Sequence, residues 1–280
     1  APPGRRAAPE GYGNYHLPVP TDRGLIGWAS HPRTGSGIYR YGGDGTAENI
    51  FSISAPADEF SLDITDDGTT AVISLLWYDA SHPAQVSLGP VSYADLFLID
   101  LEKGSSSRIT RERRLLQPTI HPEGTMIAAL EPVGSRYRLV LLDLPSGTQR
   151  ILYDQEHTSL YEPQFSPDGT SIAAVESAGG LAALVEISLA GKVTELWPRQ
   201  YEGIFSPRYL DEHTLLYSAQ RGDTYRLYQY DLRTGATSCL LQDPVGVLGA
   251  VSYSGDLIYS TYRSSGYTLR SLPLESLEPM

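Results

Sequence analysis

Hydrophobic and polar positions along the chain repeat a two-part pattern. A short apolar run follows a tight polar turn in "QFSPDGTSIAAVE" (164–176), and the same skeleton returns in "IHPEGTMIAALEP" (120–132) and "ITDDGTTAVISLL" (64–76). Looser copies occupy 17–32, 206–221 and 248–263, which places six turn positions at Gly24, Gly68, Gly124, Gly169, His213 and Gly255. Their spacings of 44, 56, 45, 44 and 42 residues are those of a repeat architecture. A second series of turns ends at Gly45, Gly104, Gly147, Gly191 and Gly235. Between the two series lie runs such as "RYRLVLLDL" (136–144) and "YRLYQYDL" (225–232), rich in Tyr, Leu and Val and bounded by turn residues, which read as strands. No stretch has the period of an amphipathic helix.

Each repeat therefore predicts four short strands, a to d from inside to outside. Four-stranded units at this period are propeller blades, so the expected fold is all-β: a six-bladed β-propeller of four-stranded antiparallel blades. A β-sandwich is the competing architecture, and the double series of turns argues against it. Inner strands are expected near 15–22, 60–66, 117–122, 162–167, 206–211 and 248–253. The segment 1–12, "APPGRRAAPEGY", reads as linker-like and 13–280 as a single propeller domain. After Ser276 too few residues remain for a sixth outer strand, so residues near 5–12 are expected to lie against blade six and close the ring.

The stretches "QFSPDGTSIAAV" and "SAQRGDTYRLYQYDLRTGATSCLLQ" resemble the Pro-Asp-Gly repeat of TolB-like propellers over residues 15–275. Two departures from it are His213 in place of a turn glycine and an insertion in repeat two. The resemblance implies a six-bladed propeller and an extracytoplasmic, periplasmic or envelope-associated location. The same repeat also builds the accessory propeller of the prolyl oligopeptidase family. Counted from the turns, Tyr161-Glu162 and Tyr201-Glu202 are not equivalent, although both lie near an "FSP".

Composition narrows the partners. With 33 acidic and 21 basic residues the net charge is −12, which disfavours nucleic acid and anionic membrane surfaces. No apolar run is long enough to insert directly into a membrane. The one cysteine, Cys239, forms no intrachain disulfide and no cysteine metal site. The linker-like start and the stop inside repeat six lead us to expect a piece of a longer protein.

Catalytic signatures do not appear. The chain contains no Gly-x-Ser-x-Gly elbow, no His-Glu-x-x-His pair and no phosphate loop. "TGSGIYRYGGDG" (34–45) is glycine-rich but lacks a following helix, and "DITDDG" (63–68) lacks the distant acidic ligand of a calcium loop. The six histidines are scattered, so no metal and no cofactor are expected.

Function is therefore expected on loops. In a propeller the d–a and b–c connections share one face, here the loop face, and the a–b and c–d turns share the other, the turn face. Repeat two carries an insertion between strands b and c, roughly 77–93, with Trp77, Tyr78, His82 and Tyr93. The d–a connections add an arginine cluster that includes Arg113 and Arg114, and Tyr161, Glu162, Tyr201 and Glu202. These ten residues are the candidate binding site. The first reading is a non-catalytic binding or scaffold propeller for a protein or peptide. The alternative is an accessory propeller of a larger enzyme such as a peptidase. A third, a channel enzyme, needs titratable groups on inner strands that read as mostly apolar and proline.

Overall fold

A computed structural model describes residues 5–7, 13–16, 18–43, 45–55, 57–78, 92–201 and 203–277. Six antiparallel sheets surround one channel, and the fold is the expected six-bladed propeller. Blade four shows the unit: Thr158–Phe165, Ser171–Ala178, Leu181–Ser188 and Val193–Gln200, each pairing with the next. The other inner strands are Val19–Thr21, Ala57–Ile64, Leu116–Ile120, Ile204–Asp211 and Ala250–Tyr253. In blade one an extra pair, Asn14–Tyr15, continues the inner edge against Gly24–His31.

The second strand of each blade is nearly continuous in apolar residues because both faces of the sheet are buried. Alternate residues go to opposite neighbours, as the two-residue period of a strand requires. In "MIAAL", Ala128 and Leu130 pack towards blade four while Ile127 and Ala129 pack towards blade two. Ile172 and Ala174 join the first of these seams, whereas Ala173 and Val175 face blade five. The remaining clusters fill the seams between blades one and two, five and six, and six and one.

The ring closes through the N-terminal segment. Arg5 and Arg6 pair with Ser271 and Arg270 as the outer strand of blade six, and the Ala7 N–H donates to the Leu269 carbonyl at 3.0 Å. This covers an edge that would otherwise expose a row of unpaired backbone groups. Residues 8–12 lie outside the described residues.

Turn chemistry explains the irregular member of the glycine series. Blades two, three and four use a longer turn with the glycine left-handed, at φ 67°, 68° and 69° for Gly68, Gly124 and Gly169. Blade five turns in two residues between Asp211 and Thr214, and the Asp211 carboxylate accepts the His213 N–H at 2.7 Å. That shorter turn places no residue in the left-handed region, so histidine fits where the others need glycine.

Candidate binding face and central channel

The inserted hairpin of blade two is longer than its sequence suggests. Thr70–Tyr78 and Ser92–Asp100 run as paired strands, with Trp77 opposite Tyr93 and Tyr78 opposite Ser92. Trp77, Tyr78 and Tyr93 are therefore strand residues, which corrects the expectation of a loop from 77 to 93. Aromatic side chains favour such cross-strand positions, and no turn residue precedes Asp79. His82 lies outside the described residues, as does Glu202.

The arginine cluster is organised by a carboxylate that the sequence reading did not identify. Asp95 is fully buried. Its Oδ2 accepts from Arg108 Nη2 at 2.5 Å and from the Glu112 N–H at 2.9 Å. Its Oδ1 accepts from Thr110 Oγ1 at 2.9 Å and from the Arg113 N–H at 3.1 Å. This nest folds the 109–115 connection, with Glu112 and Arg114 held left-handed at φ 57° and 56°. Arg108 is consumed by the ion pair, and its guanidinium lies 5.6 Å from the Trp77 ring centre. Arg114 sits 5.5 Å from the Tyr93 ring centre, within cation–π range. Arg111, Arg113 and Arg114 remain exposed. Trp77, Tyr93 and Arg114 thus form one patch.

The remaining predicted residues separate. Tyr161 packs edge-on against Tyr137 with ring centres 5.7 Å apart. Tyr201 is 89% exposed on the connection into blade five. Glu162 turns into the channel.

Connection length does not by itself distinguish the two faces. The b–c connections of blades three, four, five and six are two-residue hairpins, at 134–135, 179–180, 222–223 and 264–265. Strands b and c each extend further than their apolar cores. The contrast lies in side chains. On the turn face, Asp67, Asp100, Asp143, Asp168 and Asp231 each accept backbone N–H groups of their own turns. Hydrogen bonds from Ser166 and Thr170 hold the Asp168 carboxyl below the usual carboxylate range, and those from Thr65 and Thr69 do the same for Asp67. Among the described residues the exposed large hydrophobic side chains are Leu76, Trp77, Ile151, Tyr161, Tyr201, Val245 and Tyr262. All but Ile151, on an outer strand, lie at the loop-face end of the molecule.

The channel also departs from the reading of apolar and proline inner strands. Five residues before each turn, blades two to five present Asp63, Thr119, Gln164 and Arg208. A cavity of about 220 Å³ opens towards the loop face and a second of about 230 Å³ towards the turn face, and Asp63, Gln164 and Arg208 line both. The apolar residues in between obscured this tier, although its five-residue offset from the turns is regular.

Side chains on the channel wall satisfy the edge of the next blade. Asp63 Oδ2 accepts from Thr119 Oγ1 at 2.7 Å and from the Ile120 N–H at 2.9 Å, and Thr119 Oγ1 accepts the Phe165 N–H at 3.2 Å. One turn higher, Gln117 accepts the Glu162 N–H at 2.8 Å, and Glu162 accepts the Ser206 N–H. Gln117, Glu162 and Ser206 occupy equivalent bulges and are left-handed at φ 45°, 51° and 54°, each just before a proline. Left-handed non-glycine residues cost energy and persist where surroundings over-determine them. Here the relay of side chain to backbone bonds does so.

Burial dominates the electrostatics of the channel. It raises the Asp63 carboxyl above its ordinary range, against the opposing pull of the Thr119 and Ile120 hydrogen bonds and of Arg208. His16, also on the wall, is pushed down to about 4 by burial and is a neutral imidazole at pH 7. No cluster of three His, Cys, Asp or Glu side chains arranged to hold a metal occurs among the described residues.

No family model matches the chain, and no curated protein matches it by sequence. Solved structures do match it. A putative TolB from Agrobacterium tumefaciens superposes with a TM-score of 0.65 at 16% identity, covering 94% of this chain and 91% of that one. TolB from Acinetobacter baumannii gives 0.61 at 17% identity, covering 91% of this chain and 65% of that one. A puromycin-hydrolyzing peptidase from Mycobacterium tuberculosis gives 0.62 at 15% identity, covering all of this chain and 47% of that one. At such identities the likeness is one of fold. The chain has the six-bladed propeller fold of TolB, a fold that also occurs as part of larger peptidases.

Proposed function

We propose that this chain is a non-catalytic binding propeller that presents its loop face to a protein or peptide partner outside the cytoplasm. One observation carries the reading: the exposed large hydrophobic side chains lie at the loop-face end, and Trp77 among them sits beside the arginines of the Asp95 nest. Rigid aromatic and arginine side chains are the types that dominate binding energy. Five aspartates of the turn face are already bonded to their own turns. The extracytoplasmic location rests on the likeness to TolB. Secretion of a tagged full-length protein tests it, and retention in the cytoplasm would contradict it.

The likeness to the puromycin-hydrolyzing peptidase supports a second reading, in which the propeller is an accessory domain of a larger enzyme. The flanking coding sequence separates the two, since a hydrolase elbow there favours the second.

The binding reading is tested by two sets of alanine variants against a purified partner. Replacing Trp77, Tyr78, Arg113, Arg114, Tyr161 or Tyr201 should weaken binding and leave the melting temperature unchanged. Replacing Asp67 or Asp168 should lower the melting temperature and spare binding, whereas the exposed Glu123 side chain makes no bond in its turn among the described residues and its replacement should change neither. Binding losses confined to the turn set would overturn the assignment.

A further inference from the structure

Arg208 stands apart from every other charged group on the channel wall. It lies at the waist, where both cavities meet, on the inner strand of blade five. Its guanidinium makes one hydrogen bond among the described residues, from Nη1 to the Pro207 carbonyl at 2.9 Å. A guanidinium carries five N–H donors, so most of its capacity faces the cavity. The acids around it are differently placed. Asp63 already accepts three hydrogen bonds, from Thr119 Oγ1 and from the N–H groups of Ile64 and Ile120. Glu162 accepts the Ser206 N–H. Arg208 therefore brings unspent donor capacity to the waist, and the ligand that matches it is an acceptor.

We propose that the channel waist binds a carboxylate group, paired with the Arg208 fork and flanked by the Gln164 amide. A planar carboxylate matches the fork with two parallel hydrogen bonds. A dianion such as phosphate fits less well, because Asp63 and Glu162 line the same cavity and their repulsion grows with the charge of the ligand. A volume of about 220 Å³ admits a small acid or the last residue of a chain, and excludes a helix or a paired strand. Trp28, Phe205 and Tyr267 line the same cavity and give the body of such a ligand apolar surface beside the charge site. The carboxylate comes either from a free small acid or from a peptide C-terminus. This site goes beyond the loop-face reading and does not depend on it, because a small acid can fill it with no protein partner present.

The test is a titration of the whole chain with propionate, with N-acetyl-alanyl-alanine and with the amide of that dipeptide. It is followed by calorimetry and by tryptophan fluorescence, in which Trp28 reports on the cavity. Saturable binding of the free acids is expected, with none of the amide. Arg208→Gln should weaken it by at least about tenfold, the scale of hydrogen bonds to a charged group. A wild-type measurement stands beside the variant in case Arg208→Gln does not fold. Free acid should slow modification of Arg208 by phenylglyoxal, read by peptide mass mapping, and the amide should not. Propionate binding as tightly as the dipeptide points to a small acid, and a clear preference for the dipeptide points to a chain end. No saturable binding of either acid, equal binding of the amide, or Arg208→Gln binding as tightly as wild type would overturn the proposal. Loss of partner binding in the loop-face variants would leave this result untouched.

Discussion

Gly169→Ala tests how neighbouring blades nest at the turn face. Gly169 is left-handed at φ 69°, and a Cβ built there would lie 2.0 Å from His121 Nε2 in the turn of blade three. His121 cannot easily retreat. Its ring stands edge-on to Phe165 at 5.4 Å, and its Nδ1 accepts the Glu123 N–H at 3.2 Å. Two costs add. Holding alanine left-handed costs about 1–2 kcal/mol, and forcing a methyl group into a packed site costs about 1–3 kcal/mol more. Gly147 is the control, since it has the same φ of 69° and nothing within 4 Å of its built Cβ. Gly147→Ala therefore bears the first cost alone. Loss of unfolded-state freedom acts on both variants and cancels in the comparison. Urea unfolding should show Gly169→Ala less stable than Gly147→Ala by about 1–3 kcal/mol with the same slope. In the His121→Ala background this excess should disappear, because the clashing ring is gone. Equal costs at the two glycines, or an excess that survives His121→Ala, would refute the nesting argument.

Deleting residues 1–7 removes the outer strand of blade six and should lower the melting temperature by several degrees, whereas an unchanged melt would show that the ring closes without Arg5 and Arg6. Asp95→Ala leaves Arg108 without its ion-pair partner and should cost about 3–5 kcal/mol, with a red shift of Trp77 emission as the 109–115 nest opens. Unchanged stability and emission would contradict the nest. His16 is held neutral with its folded value at about 4 against 6.5 unfolded, so the unfolded chain binds the extra proton between those values. Stability should therefore be complete above pH 6.5 and fall as pH drops towards 4, by up to about 3 kcal/mol from this group. His16→Asn should flatten that limb of the curve, and an imidazole titrating near 6.5 by NMR would contradict the account.

Much of the fold was legible because its signals are local. A left-handed turn selects glycine at 68, 124 and 169, and burial on both faces selects unbroken apolar strands such as "SIAAV". His213 looked like a defect, but a two-residue turn capped by Asp211 needs no glycine. The site was less legible because its contacts are tertiary. Nothing near Arg108 in the sequence identifies Asp95 as its partner, which is reached only once the outer strand of blade two folds back on the third. Trp77 and Tyr93 read as loop residues because the strands that carry them outrun the apolar core. Arg208 and Asp63 were passed over because a single polar residue on an inner strand gains meaning only when the ring brings the strands around one channel.

Hydrogen–deuterium exchange of the chain with and without its purified partner reads out which face of the propeller is covered on binding. Added protection is expected in 75–78, 92–94, 109–115, 158–162 and 198–201, at the loop-face end of blades two to four. Protection confined instead to the turns at 66–69, 122–125 and 167–170, with the 109–115 nest exchanging as in the free chain, would contradict the loop-face assignment.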